Sequence, residues 1–241
     1  MTPRTTERVT VDGPAGPIEV VHNVPETALR GIALVCHPHP LQGGTLDNKV
    51  VQTLAKALFA LRYAAVRFNF RGVGQSAGTF DEGVGETEDA LVVLAHARRR
   101  FGEALPVVLA GFSFGAYIAV RMSAPGRPKR SPPPVEGEAG REAASFGGGY
   151  PVSAQIEAER LVLVGPAVGR FPIRHVPDDT IVIHGEEDDV VPLADVFAWA
   201  RPQALPIVVF PGCGHFFHGR LPQLARMVTS CWTPPPPGAA R

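Results

Sequence analysis

Cysteine is scarce in these 241 residues, and lysine is equally so. Cys36, Cys213 and Cys231 are an odd number without paired spacing. That argues against a disulfide framework and for a reducing, cytoplasmic setting. Long apolar runs are missing, so no membrane span is expected. The first eight residues, MTPRTTER, hold no apolar core of a signal peptide. An excess of charge of either sign is missing too: 23 basic residues face 23 acidic ones. Without a basic field, nucleic acid is not an expected partner. The arginines outnumber the lysines 20 to 3, but they are spread along the chain and balanced by acids. Nucleotide and zinc motifs are absent as well. Gly72-Val73-Gly74 lacks both the G-x-G-x-x-G spacing and a P-loop lysine, and there is no H-E-x-x-H. The rival metal reading would use His37 and His39, or His215 and His218, with the acids at 186–189. Neither metal nor cofactor is expected.

What is present is a rhythm of apolar runs and helical periodicities. Short strands are expected near 7–11 and 17–22, joined by a turn at Asp12-Gly13-Pro14. Gly31–Cys36 (GIALVC) is continuously apolar, as in a strand buried on both faces. Val50, Leu54, Leu58 and Leu61 fall at helical spacing and predict a helix over 47–62. Further strands are expected at 64–70, 106–110, 160–165, 180–184 and 206–210. Helices are expected at 86–100, from 114 onward, at 193–200 and at 220–230. Alternating strands and helices imply an α/β fold, a mostly parallel sheet with helices on both faces. In such sheets the site forms at the carboxyl ends of the strands. At this length the chain reads as one domain over 1–233. Residues 124–158, rich in Pro, Gly, Arg and Glu, interrupt it with too few aliphatics to offset their ordering entropy. They read as a solvated insertion; the sharper alternatives are a cover over the site using Phe146 and Tyr150, or a partner-binding segment using Arg127, Lys129 and Arg130. The Pro-rich tail 234–241 reads as a disordered end.

The most informative stretch is Leu105–Tyr117 (LPVVLAGFSFGAY), where a strand runs into G-x-S-x-G and then a helix. A sharp strand-to-helix turn would hold Ser113 exposed at the top of the sheet, with Gly111 and Gly115 letting the backbones pass. The string alone is weak evidence, because Gly74-Gln75-Ser76-Ala77-Gly78 repeats it. No helix directly follows Ser76, which reads as a loop serine.

Serine needs a base, and the base a carboxylate to orient it. With such an elbow the expected order is Ser, acid, His, each in a loop after a strand. His184-Gly185-Glu186-Glu187-Asp188-Asp189-Val190-Val191-Pro192 follows one strand, and Pro211-Gly212-Cys213-Gly214-His215 follows the next. The H-G-x-x-D-x-x-V-P spacing selects Asp188, with Asp189 as the alternative. His215, after a Gly-x-Gly turn, is the base; His218 reads as packing or capping and His184 as structural. The oxyanion donors are expected to be the N–H of Phe114 and one from His37–Gly44, a loop in which Pro38 and Pro40 cannot donate. His39 is the first choice there and Leu41 the second. Phe112, Phe216 and Phe217 are the candidates to line a pocket, with core packing an equal reading for each.

Together these residues resemble the α/β-hydrolase superfamily. More narrowly, they resemble the compact, cap-less bacterial "predicted α/β-superfamily hydrolases", through Cys36-His37-Pro38-His39-Pro40, Gly43-Gly44, Asn48-Lys49-Val50, Arg71-Gly72-Val73-Gly74-Gln75-Ser76, the elbow, and Gly214-His215-Phe216-Phe217. The match covers 5–123 and 159–231. The resemblance implies an eight-stranded, mostly parallel sheet with an antiparallel second strand, and Ser113, Asp188 and His215 as a triad. Many members carry a cap between the strands placed here at 160–165 and 180–184. Only Pro166–Asp179 lies between them, too short for a helical lid. The expectation is a serine hydrolase of small carboxylic esters or thioesters, with a small-molecule acyl substrate and its oligomeric state open. A peptidase or amidase with the same triad is the alternative within enzymes, and a non-catalytic binding module is the alternative outside them.

Overall fold

A computed structural model describes residues 4–125 and 155–232. Its strands, β1 (Arg4–Gly13), β2 (Gly16–Pro25), β3 (Gly31–Cys36), β4 (Tyr63–Phe68), β5 (Val107–Phe112), β6 (Arg160–Val164), β7 (Ile181–Gly185) and β8 (Ile207–Phe210), form one sheet in the order β1-β2-β4-β3-β5-β6-β7-β8. From β4 through β8 all neighbours are parallel; β2 alone runs against both β1 and β4. This is the expected sheet, down to its antiparallel second strand. The two first strands are longer than their apolar residues suggest. They pair as one hairpin from Arg4↔Pro25 to Gly13↔Gly16, and the ladder carries polar positions along with it.

The helices are α1 (Lys49–Ala60), α2 (Val84–Phe101), α3 (Phe114–Met122), α4 (Leu193–Ala200) and α5 (Leu221–Ser230). Helix α1 starts at Lys49 rather than at the expected 47, because Asn48 caps it by accepting the Val50 and Val51 N–H groups at 2.9 and 3.4 Å. Alternation along the strands sorts the core into two layers. Ile32, Leu34, Val107 and Leu109 face α2, α3 and α4, while Ala33, Val35, Val108 and Ala110 face α1 and α5. A strand that buries both faces must be apolar throughout, as GIALVC is.

The flanks of the insertion are described even though 126–154 are not. Ser123 pairs with Ile156, Ile156 N–H donates to Met122 O at 2.8 Å, and Glu159 N–H donates to Val107 O at 2.7 Å. Val107 begins β5 and Ser113 follows its end, so the insertion leaves and rejoins the fold at the end of the sheet opposite Ser113. The cover and partner-binding residues expected within it, and the tail at 234–241, lie outside the described residues. Among the described residues, no helix is long and apolar enough to cross a membrane.

Candidate active site

Strand β5 runs straight to Phe112 and α3 begins at Phe114, so Ser113 makes the whole turn. Its backbone sits at φ 56, ψ −118, a conformation costly for a residue with a Cβ. Its N–H is held by Val164 O at 2.9 Å. The flanking glycines are required by contact. A Cβ on Gly111 would lie 2.1 Å from Gly115 O, and one on Gly115 would lie 2.2 Å from Cys36 O. Ser113 is buried rather than exposed, and Phe114, as the first residue of α3, has an N–H without an intrahelical acceptor.

His215 and Asp188 come together from the loops after β8 and β7. Asp188 Oδ2 accepts from His215 Nδ1 at 2.6 Å, and both residues are buried. Asp188 Oδ1 accepts the N–H groups of Val190 and Val191 at 3.0 and 2.8 Å. Burial pushes this carboxyl up, but the His215 bond, the Val191 N–H and the positive ends of the two imidazoles outweigh it and hold it below the usual range. Asp189, Glu186 and Glu187 are exposed, and Glu186 binds the Gly212 N–H at 2.9 Å. His184 Nε2 donates to Val191 O at 2.9 Å, a structural part within β7. His218 is exposed.

The imidazole of His215 packs on Phe112, the residue before Ser113, with ring centroids 4.8 Å apart. Against both rings is Gly165, at φ 50, just past the end of β6. A Cβ there would meet His215 Cε1 at 3.2 Å and Phe112 Cε2 at 3.4 Å. Thus β5, β6 and the β8 loop bring His215 beside the Ser113 turn. Sequence reasoning misses Gly165, because a Gly-Pro after an apolar run reads equally as an ordinary turn.

The loop after β3 is fixed by His37. Its Nε2 accepts the Phe70 N–H at 3.0 Å, so the ring hydrogen is on Nδ1, which donates to Pro38 O at 2.7 Å. Burial pushes the His37 imidazole down to about 4. Both nitrogens are therefore committed to backbone, and His37 is not poised to ligate a metal with His39. Among the described residues no hydrogen bond engages the His39 N–H, whereas the Leu41 N–H donates to His39 Nδ1 at 3.2 Å. Of the two expected donors, Leu41 already has an acceptor for its N–H.

The aromatic candidates divide. Phe216 is 43 % exposed, and Phe112 is buried against His215. Phe217 is fully buried against Phe210 at 5.5 Å, because its backbone at φ 53 turns it into the core beside α5. Phe112 and Phe217, both fully buried, thus offer no surface to a substrate. The second G-x-S-x-G is structural: Ser76 Oγ donates to Asn69 O at 2.8 Å and accepts the Glu19 N–H at 3.0 Å.

This architecture is shared nearly end to end with solved proteins. An α/β serine hydrolase homologue from Coxiella burnetii is 34% identical, with a TM-score of 0.73, over 97% of this chain and 99% of that one. An α/β serine hydrolase without a lid from Xanthomonas campestris is 32% identical, with a TM-score of 0.77, over 98% and 99%. The chain belongs to the cap-less α/β-hydrolases. An uncharacterized protein of Rickettsia prowazekii is 44% identical over 111 residues, a stretch that spans 46% of this chain and 47% of that protein. No family model matches. In this hydrolase the described residues between β6 and β7 contain no helix, so the top of the sheet around Ser113 has no cap from that crossover.

Beyond the expected residues, this hydrolase uses a buried polar hub to hold the loops at the top of the sheet. Glu19 binds Asn69 Nδ2 at 2.6 Å, the Gln75 N–H at 3.1 Å, and Arg8. Asn69 Oδ1 in turn accepts the Leu46 N–H at 2.8 Å. Arg71 grips Asp89 of α2 with two bonds of 2.8 and 2.9 Å, fixing the loop after β4 to that helix.

Proposed function

We propose that this chain is a serine hydrolase of small carboxylic esters or thioesters, working through Ser113, His215 and Asp188. The observation that carries the reading is the 2.6 Å bond from His215 Nδ1 to Asp188 Oδ2, with the same imidazole packed on the residue preceding Ser113. That bond puts the ring hydrogen on Nδ1 and leaves the Nε2 lone pair to take a proton. Ser113 Oγ attacks the substrate carbonyl while its proton passes to His215. The tetrahedral oxyanion is held by the N–H groups of Phe114 and His39, each worth about 3 kcal/mol by the precedent of other oxyanion holes. Collapse breaks the bond to the leaving group, which receives the proton from His215. Water then attacks the acyl-enzyme by the same route in reverse, releasing the acid and restoring Ser113.

Ionised Asp188 stabilises the imidazolium that forms at each transfer. The absence of a helix between β6 and β7 supports a small, open acyl site. A fluorophosphonate should label the wild type and Ser76→Ala but not Ser113→Ala, and p-nitrophenyl esters should be cleaved with activity falling from C2 to C12. Labelling that survives Ser113→Ala, or that disappears with Ser76→Ala in a folded protein, would refute the assignment. Absence of labelling in the wild type would favour a non-catalytic binding module. Labelling without ester cleavage would direct attention to amides.

A further inference from the structure

Two partly open apolar surfaces pack on the residues either side of Ser113. One is Phe216, which meets His215 and Phe112 at 5.2 and 6.0 Å. The other is assembled from three loops far apart in sequence: His39 after β3, Phe80 after β4 and Phe171 after β6, each half-buried. All three rings pack on Phe114, the residue after Ser113, at 5.3, 5.7 and 5.0 Å. His39 also meets Phe80 at 4.7 Å and Phe171 at 6.0 Å, and Tyr117 stacks on Phe171 at 5.0 Å with a tilt of 23°. Rings braced in this way cannot collapse onto one another. They hold a rigid aromatic surface at half exposure beside the reacting serine, where loop positions would ordinarily be polar. His39 adds one donor: its Nδ1 accepts the Leu41 N–H, so its own ring hydrogen is on Nε2.

The direction of proton transfer tells the two surfaces apart. His215 protonates the departing group, so that group leaves on the side of His215 and Phe216. The acyl substituent must point away from His215, toward the other surface. We propose that His39, Phe80 and Phe171 form the acyl subsite, and that it favours a flat aryl or arylalkenyl acyl group over a flexible alkyl chain. A planar group meets the fixed rings through offset or edge contacts without losing internal rotations, whereas an alkyl chain gains only area.

The inference rests on Ser113 being the nucleophile, and boronic acids separate the two questions. Ser113 Oγ adds to trigonal boron as its proton passes to His215, giving a tetrahedral boronate whose carbon substituent lies where the acyl group would. Phenylboronic and n-butylboronic acids compete with fluorophosphonate labelling of the wild type, Phe171→Leu and Phe80→Leu. Within each protein the ratio of the two inhibitory concentrations cancels any general change in serine reactivity. The wild type should favour the phenyl compound by about 2- to 10-fold, and each variant should bring the ratio toward one. A wild-type ratio near one, or a preference unmoved by both substitutions, overturns the subsite while leaving the nucleophile assignment intact. Should either variant fail to fold, the wild-type ratio and the other variant still decide. Absent labelling in the wild type, or labelling that persists in Ser113→Ala, overturns both readings.

Discussion

Replacing Asp188 with asparagine should switch off the site without unfolding it, and the hydrogen bonds around the carboxylate say why. Oδ1 accepts two N–H groups, from Val190 and Val191, while Oδ2 accepts one, from His215. An asparagine amide has one oxygen and one NH2. If its NH2 faced Val190 and Val191, two buried donors would lose their acceptor, at about 1–3 kcal/mol each. The amide therefore settles with its oxygen toward the two N–H groups and its NH2 toward His215. Nδ1 must then accept, which moves the ring hydrogen to Nε2 and removes the lone pair that would take the Ser113 proton. The expected loss in kcat is about 10³–10⁴-fold, the cost of the wrong tautomer in a serine triad. Because the new bonds are all satisfied, Tm should move by only a few degrees. Steady-state kinetics on p-nitrophenyl acetate would measure the rate, and ¹⁵N NMR of labelled histidine would read the tautomer. A kcat within about tenfold of wild type, an Nδ1–H tautomer in the variant, or an equal loss from Asp189→Asn would refute the reasoning.

Three further expectations follow from buried contacts. Ser76→Ala removes a hydroxyl that both donates to Asn69 O and accepts from Glu19 N. It should cost about 1–3 kcal/mol in denaturant unfolding yet leave fluorophosphonate labelling in place, the opposite of Ser113→Ala; an unchanged midpoint would show the hub to be dispensable. Gly165→Ala puts a Cβ at 3.2 Å from His215 Cε1 on a backbone at φ 50, so it should destabilise by about 1–2 kcal/mol and lower kcat more than it raises KM. A variant with wild-type kcat would mean that the ring has room to give. His37 is neutral and buried when folded, with its titration pushed down to about 4 from 6.5. The unfolded chain therefore binds the extra proton first, and stability present above pH 6.5 is lost as pH falls toward 4, by about 3 kcal/mol from this group. Urea unfolding at pH 7 and pH 4.5 would test this, and equal stabilities would contradict it.

The parts of this protein that can be read from sequence are those whose cause is local. GIALVC must be buried on both faces because it is apolar at every position, and it is. Ser113 can be told from Ser76 because only one of two matches to G-x-S-x-G joins a strand to a helix, and backbone contact at Gly111 and Gly115 enforces that junction. Asp188 is picked out from its acidic neighbours by the H-G-x-x-D-x-x-V-P spacing, and it is the acid whose Oδ1 accepts the Val190 and Val191 N–H groups. Boundaries slip where a neighbour takes over: the β1–β2 ladder extends past its apolar residues, and the Asn48 cap shortens α1.

What cannot be read depends on where loops meet. Phe217 is adjacent to Phe216 in a run of aromatics, and only its φ of 53 sends it into the core while Phe216 stays exposed. Phe80 and Phe171 carry no signal at all, because nothing in their own stretches of chain fixes either beside Phe114. The proposed triad is set by geometry along single strands and their first turns, so its pattern survives in the string. The surface that would choose a substrate is set by the convergence of the loops after β3, β4 and β6, held by Arg71 on Asp89 and by the Glu19–Asn69 hub. A change at Phe80 or Phe171 should alter selectivity and leave the proposed chemistry at Ser113 in place, whereas the same loops after β3 and β6 also carry His39 and Gly165, which bear on the reaction itself. The legible part of the sequence therefore speaks to the reaction, and the substrate must be sought in the rings around Phe114.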